Sequence, residues 1–427
     1  MLEHIYTGVL IFIAFYPIVT SIMWLVFSIT YKIRWEEMHH EVFPKHNPEV
    51  SVIVPTFNEE HLIENALTAM CAMTYPHYEI IIVNDGSNDG TLEKIKPFLS
   101  NPKVRLLNKT VNQGKSLALN DAFAIMNGEI VVVLDADAQP APDLLQHLTW
   151  HFQHARVGAV TGHPRVKNAT NFLTRIQVIE FTSIIGLIRR SQRIWGRIMT
   201  VSGIVAAFRK EAILGIGGFR PDMYTEDIDA TWRLERKHWD VRYEPRAIVW
   251  MHAPDTLRVF FKQRLRWARG LIQVLMENKS MLRKWEMRRL WTIFYESSIS
   301  IVWNALYGII ILYEGVKYLS SIFYTDLSVQ MLTSSVSVSS KGVFVFGLHW
   351  IVVMSSFSLM QLLIGGLMEY KHDNDIIRFF PYAIFYPSFY WVFMTVITLT
   401  ALPTLWTKHR DKVDWSTKRD VRENDEG

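Results

Sequence analysis

Two acidic clusters have the residue types and spacing to do chemistry. In VVVLDADAQPAPD (residues 131–143) four apolar β-formers run straight into Asp135 and Asp137. Alternate side chains share one face of a strand, so both carboxylates can converge on one object at its end. Two like charges that close repel unless something positive sits between them. The pair is therefore a solvated turn or half of a cation site. The second cluster opens MYTEDIDATWRLERKHWDVRYEP (223–245). Thr225 reads as the N-cap of a helix, and Glu226 and Asp227 occupy its first turn, where the helix dipole favours anions. Asp85 lies in YEIIIVNDGSNDGT (78–91), and FFKQRLRWARG (260–270) gathers Lys262, Gln263, Arg264, Arg266, Trp267 and Arg269. Taken singly, these are also ordinary turn chemistry, a good helix start and a basic helix snorkelling toward lipid phosphates.

The elements around them decide how they can meet. VSVIVPTFNEE reads as a strand stopped by Pro55, HLIENALTAMCAM as a helix, and YEIIIVND, VRLLN and EIVVVLDAD as further strands. Continuous β-branched runs alternating with helices imply a mostly parallel sheet covered on both faces. Such sheets bind ligands beyond the carboxyl ends of their strands. The residues to watch are thus Thr56, Asn58 and Glu59, then Asn84 and Asp85, then Asp135 and Asp137. A rim of carboxylates is costly unless it holds a metal or a polar ligand. In NQGKSLALN (112–120), Gly114 and Lys115 before a helix could bring a backbone and a cation to a phosphate. Neither a G-x-G-x-x-G after the first strand nor a P-loop occurs, so a dinucleotide fold and a P-loop NTPase are unsupported.

Of 427 residues, 49% are hydrophobic, 13% aromatic and 20% charged, a mixture that fits a soluble domain joined to membrane segments. A net charge of +4 does not argue for nucleic acid, and the single Cys71 excludes an intramolecular disulfide framework or a Cys-rich metal site. Cys71 itself reads as a small buried helical residue. Apolar segments lie at 5–31 and near 291–315, 342–368 and 379–405. Lys32 and Arg34 after the first place the following residues in the cytoplasm, although four crossings would return the basic tail to the outside. Pro381, Pro387 and Pro403 suggest that the last segment is kinked or re-entrant. The expected division is an anchor (1–48), a cytoplasmic catalytic domain (49–280) and C-terminal interfacial and membrane helices with a basic tail (281–427).

In this order and spacing Asp85, Asp135-Ala136-Asp137, Thr225-Glu226-Asp227 and Gln263-Arg264-Leu265-Arg266-Trp267 resemble the D, D-x-D, T-E-D, Q-x-x-R-W pattern of processive membrane family-2 glycosyltransferases. That group makes cellulose, chitin, hyaluronan and poly-N-acetylglucosamine. TVSGIVAAFRKEA, YTEDIDATWRL and KQRLRWARG look most like the bacterial poly-β-1,6-N-acetylglucosamine synthases of biofilm matrix. His163, near the expected acceptor path, stands where that pattern has Asn, and Asp255 stands where it has Glu.

The resemblance implies a nucleotide-diphospho-sugar transferase (GT-A, Rossmann-like) α/β domain flanked by transmembrane helices in a bacterial inner membrane. It implies that Thr56, Glu59 and Asp85 hold uridine, that Lys115 lies near the ribose or diphosphate, and that Asp135 and Asp137 bind the donor through Mg²⁺ or Mn²⁺. Asp227, beside Glu226, would be the general base. Arg266 and Arg264 would meet the diphosphate, Gln263 would belong to the substrate-binding set, and Trp267 would lie under the acceptor sugar. Implied partners are UDP-N-acetylglucosamine, the growing polysaccharide, the bilayer, a small membrane subunit and cyclic di-GMP. The sequence leaves open a synthase of another polymer (hyaluronan, chitin or cellulose-like) and a nucleotide-sensing transporter.

Overall fold

The computed structural model describes residues 2–36, 47–323, 340–370 and 374–406. A membrane-length helix α1 (Leu2–Tyr31) precedes β1 (Val50–Thr56), α2 (Ile63–Cys71), β2 (Tyr78–Asp85), α3 (Thr91–Ile95), β3 (Val104–Lys109), α4 (Lys115–Phe123) and β4 (Ile130–Leu134). Then come β5 (Gln139–Pro140), α5 (Leu144–Trp150), β6 (Val157–Val166), α6 (Phe172–Ile179), α7 (Gly186–Trp195), β7 (Val205–Arg209), α8 (Lys210–Gly215), α9 (Glu226–Arg236), β8 (Asp240–Met251) and α10 (Leu257–Asn278). The helix α11 (Arg288–Phe323) follows, and further helices span Ser340–Glu369, Phe380–Ala383 and Tyr386–Ala401.

The strands form one sheet in the order β3-β2-β1-β4-β7-β6-β8-β5, with β3, β2, β1 and β4 parallel. Its central strands are apolar on both sides because both sides are covered. Val52, Val54, Ile80, Ile82 and Val132 pack on one face with Leu67, Met70 and Leu145. Ile53, Ile81, Val83, Val131 and Val133 pack on the other with Leu119, Ala122 and Phe123. Cys71 is only half-buried, at the last turn of α2.

Chain order reverses at β1, which has β2 on one side and β4 on the other. Thr56, Asp85 and Asp135 leave their parallel strands at the same rim, beside this switch. The expected stop at Pro55 does not occur; β1 runs through it to Thr56. The ladder to β4 ends at Ile53, so Pro55 lies where β1 pairs only with β2. A residue lacking an N–H is tolerated where one side of the strand is free of a ladder.

Among the described residues four helical segments are long and apolar enough to cross a membrane: His4–Glu36, Trp285–Lys317, Val352–Glu369 and Tyr386–Leu405. Exposed Ile11, Val19, Val26, Ile309 and Leu312 are consistent with faces turned toward lipid. The last apolar region is broken as expected, into Phe380–Ala383 and Tyr386–Ala401, with Pro381 and Pro387 in the opening turns. The basic tail around Lys418 and Arg419 lies outside the described residues. The long apolar helices and the sheet domain are tied by polar contacts. Ser28 Oγ donates to Leu187 O (2.7 Å), and Lys32 Nζ to Met368 O (2.9 Å). Buried Arg190 pairs with Glu36 and with Glu369.

Helix α10 meets the start of α9 at Gly270, where an added Cβ would fall 2.1 Å from Thr225 Oγ1. This close approach brings the Q-x-x-R-W helix against the T-E-D turn. Gly270→Ala should therefore force the two apart, cost about 1–3 kcal/mol as overpacking does, and lower the melting temperature of the detergent-purified protein.

Candidate active site

Lys115, the first residue of α4, is the meeting point of the acidic clusters. Its side chain is 12% exposed, and Nζ lies 2.6 Å from Asp135 Oδ1 and 3.5 Å from Glu226 Oε1. Nζ also donates to the carbonyl of Gly203 at 3.1 Å. Burial works against the ammonium, but Asp135, Glu226 and Asp227 outweigh it and hold its pKa above the ordinary lysine value. Lys115 is placed by Asp85, whose fully buried carboxylate accepts from the N–H groups of Gln113 (3.0 Å) and Gly114 (2.7 Å) and pairs with Lys109 (3.0 Å). Asp85 thus anchors the loop leading into α4.

Asp227 lies in the first turn of α9, Oδ1 accepting from the Ile228 N–H at 2.9 Å. Burial and the neighbouring Glu226 raise its carboxyl, while Lys115, Arg266 and the Ile228 N–H lower it, and the balance pushes it up to about 6. Thr225 holds the N-cap position but makes no capping bond; its hydroxyl is buried against Gly270 with no hydrogen-bond partner. The expected capping role is corrected accordingly.

On α10, Gln263, Arg266, Trp267 and Gly270 have the i, i+3, i+4, i+7 spacing of one helix face. Gly270 puts that face on the T-E-D turn, and Arg266 Nη1 donates to Tyr224 O at 3.1 Å. Arg264 does not join it. Residues two apart point about 200° apart on a helix of roughly 3.6 residues per turn. The Arg264 guanidinium is buried instead against Glu180, 2.6 Å away, and this corrects its expected place at the diphosphate.

The remaining expected residues stand on the same rim. Thr56 is fully buried at the end of β1, its hydroxyl donating to Val54 O. Glu59 follows, with its backbone N–H on Thr91 Oγ1 at 2.7 Å. Asp137 is 3% exposed, with the His252 N–H 3.4 Å from Oδ2. His163 is fully buried on β6, with Nδ1 2.6 Å from the hydroxyl of Tyr243 on β8. Burial, helped by Arg165, Arg190 and Arg189 and opposed by Glu369, pushes the ring down to about 3.

Gly203 carries no role in the sequence reading, although TVSGIVAAFR contains it. A Cβ there would sit 3.2 Å from Asp227 Oδ2 and 3.6 Å from Lys115 Nζ. Only a bare backbone lets its carbonyl reach Lys115 without crowding Asp227. A glycine just before a strand was the only signal available.

Residues 51–216 match the family described as Glycosyl transferase family 2. A poly-β-1,6-N-acetyl-D-glucosamine synthase of Staphylococcus epidermidis is 32% identical over 413 residues, covering 95% of this chain and 97% of that protein. The chain belongs to the poly-β-1,6-N-acetyl-D-glucosamine synthase family. The Staphylococcus aureus (strain COL) synthase gives 32% over 416 residues, with the same coverage. A mannosyltransferase from Pyrobaculum calidifontis, solved with GDP-mannose and Mn²⁺, superposes with a TM-score of 0.57 over 84% of this chain and 99% of its own. At 22% identity that likeness shows the fold, a GT-A Rossmann-like domain. This synthase-family chain is therefore a glycosyltransferase with apolar helices on both sides of its catalytic domain.

If Asp227 is the general base expected from the sequence, activity should rise about tenfold per pH unit below pH 6 and level off above it. Glu226→Gln removes a charge that raises Asp227, so the acid limb of the polymerisation pH profile should move to lower pH.

Proposed function

We propose that this protein polymerises N-acetylglucosamine from UDP-N-acetylglucosamine into β-1,6-linked poly-N-acetylglucosamine, and passes the polymer across a bacterial inner membrane with its catalytic domain in the cytoplasm. The observation that carries the chemistry is Lys115, which lies between Asp135 after β4 and Glu226 and Asp227 at the start of α9. The sugar and linkage come from the full-length likeness to the two synthases.

In this reading Asp227 takes the proton of the acceptor hydroxyl as that oxygen forms its bond to the anomeric carbon. The bond from that carbon to the diphosphate oxygen breaks, and UDP leaves with the electron pair. One base suffices for such an inversion, and a carboxyl near 6 is close to a useful working value. Thr56, Glu59 and the loop anchored by Asp85 face the uridine. Gln263 and Arg266 approach from α10, where a guanidinium offers paired donors to a diphosphate. Trp267 supplies an apolar platform for the acceptor sugar.

Asp137 and Asp135 are the residues that would hold a divalent cation. Among the described residues no group of three or more His, Cys, Asp or Glu side chains is arranged to hold a metal ion. Two carboxylates fit Mg²⁺ or Mn²⁺, which commonly takes the rest of its ligands from substrate phosphates and water. When bound, such an ion neutralises charge on the departing diphosphate. The anchor, catalytic and C-terminal units (1–48, 49–280, 281–427), a small membrane subunit and control by cyclic di-GMP belong to the same proposal.

The test is a radiolabel assay on membranes given each UDP-sugar in turn, followed by digestion with a linkage-specific glycosidase. UDP-N-acetylglucosamine alone should yield a polymer cleaved by a β-1,6-N-acetylglucosaminidase. A requirement for a second sugar nucleotide would indicate a hyaluronan-like synthase instead. Failure to release UDP from any of the sugar nucleotides would reject a transferase.

A further inference from the structure

The helix formed by α6 and α7 is interrupted by a π-helical stretch, Glu180–Ile185, and its first residue is a carboxylate 3% exposed. The transfer reaction does not use this group. Glu180 Oε2 accepts from Arg264 Nη2 at 2.6 Å, and Oε1 accepts from the Tyr390 hydroxyl at 3.1 Å. Tyr390 belongs to the membrane helix Tyr386–Ala401 and stacks on Tyr386, ring centroids 4.8 Å apart. Arg264 is itself 2% exposed, its guanidinium 4.3 Å from the Trp267 ring centroid and 4.8 Å from that of Phe260.

Burying an ion pair is a poor route to stability, since apolar residues of similar volume often serve as well or better. What the pair provides is orientation. A carboxylate fixes the plane of a guanidinium, and a guanidinium stacks on an aromatic face in a way an ammonium does not. Single π-helical turns often mark functional sites, because they displace a side chain from regular helical phase.

We propose that Glu180 is a positioning residue for the acceptor sugar: through Arg264 it holds the Trp267 ring, and through Tyr390 it ties that platform to the membrane helix beside it. This rests on the reading of Trp267 as the acceptor platform. Glu180 touches neither substrate, so its loss acts on acceptor binding and leaves donor binding alone.

The test uses the full chain in detergent with UDP-N-acetylglucosamine and a soluble β-1,6-linked N-acetylglucosamine oligomer as added acceptor. Glu180→Gln should raise the acceptor KM about tenfold, within the range of one desolvated cation–π contact, while the donor KM moves less than twofold. Glu180→Asp should recover part of the loss. Because a lone buried Arg264 can destabilise the fold, the double variant Glu180→Leu with Arg264→Met removes both charges. It should keep the wild-type melting temperature and still show the raised acceptor KM. A folded double variant with a wild-type acceptor KM, or equal rises in both KM values, overturns the proposal. Trp267→Ala separates the two claims. If it raises the acceptor KM and the Glu180 variants do not, only the positioning role fails; if Trp267→Ala leaves the acceptor KM unchanged, the platform reading fails and the positioning role with it.

Discussion

The architecture depends on one buried ammonium. Asp135, Glu226 and Asp227 come from the end of β4 and the start of α9, segments about ninety residues apart in the chain, and Lys115 is the cation against which they are held. Two unit charges 4 Å apart repel by about 4 kcal/mol at an effective dielectric of 20, a large share of the stability of an ordinary domain. Without a cation among them the three carboxylates would separate or take up protons. The doubly wound sheet supplies what the arrangement needs: parallel strands ending on one rim, and helices starting there with their positive ends toward the acids. Asp85 and Gly203 complete it, one fixing the loop into α4 and the other admitting Lys115 to a backbone carbonyl.

One lysine lies against carboxylates from both segments, Asp135 after β4 and Glu226 on α9. Asp227 is held near 6 by opposing influences: burial and Glu226 push it up, and Lys115 and Arg266 pull it down. A base on the surface would lack the first, and one paired only with Lys115 would be too weak. The site is in turn fixed to the membrane part by Arg190 with Glu36 and Glu369, and by Glu180 with Arg264 and Tyr390. Both networks cross from catalytic elements to membrane helices through buried charge, which loses much of its strength once either partner shifts.

Much of this was legible in the sequence because it follows from local rules. Continuous apolar runs announced strands buried on both faces, and the polar residue after each one announced the rim. What was misread depends on tertiary neighbours. Thr225 has a capping residue's type and place, but Gly270 packs onto it and its hydroxyl caps nothing. Arg264 shares a motif with Arg266, yet helical phase sends it to Glu180, a partner 84 positions away. Pro55 ended the strand on propensity grounds, while the actual ladder leaves it a free side. His163, expected near the acceptor path, is fully buried within the sheet. Gly203 and Glu180 carried no pattern of their own, since a close approach and a buried pair exist only once distant segments meet.

The central claim is that Asp227 removes the acceptor proton within a cluster whose donor-binding half stands independently of it. Asp227→Asn keeps the side-chain shape and removes the base, so UDP affinity and polymer synthesis should be measured together on the same purified variant. The account predicts UDP binding within about threefold of wild type and synthesis lowered by roughly 10²–10⁴-fold, the usual worth of a positioned base. Near-normal synthesis by Asp227→Asn would contradict it.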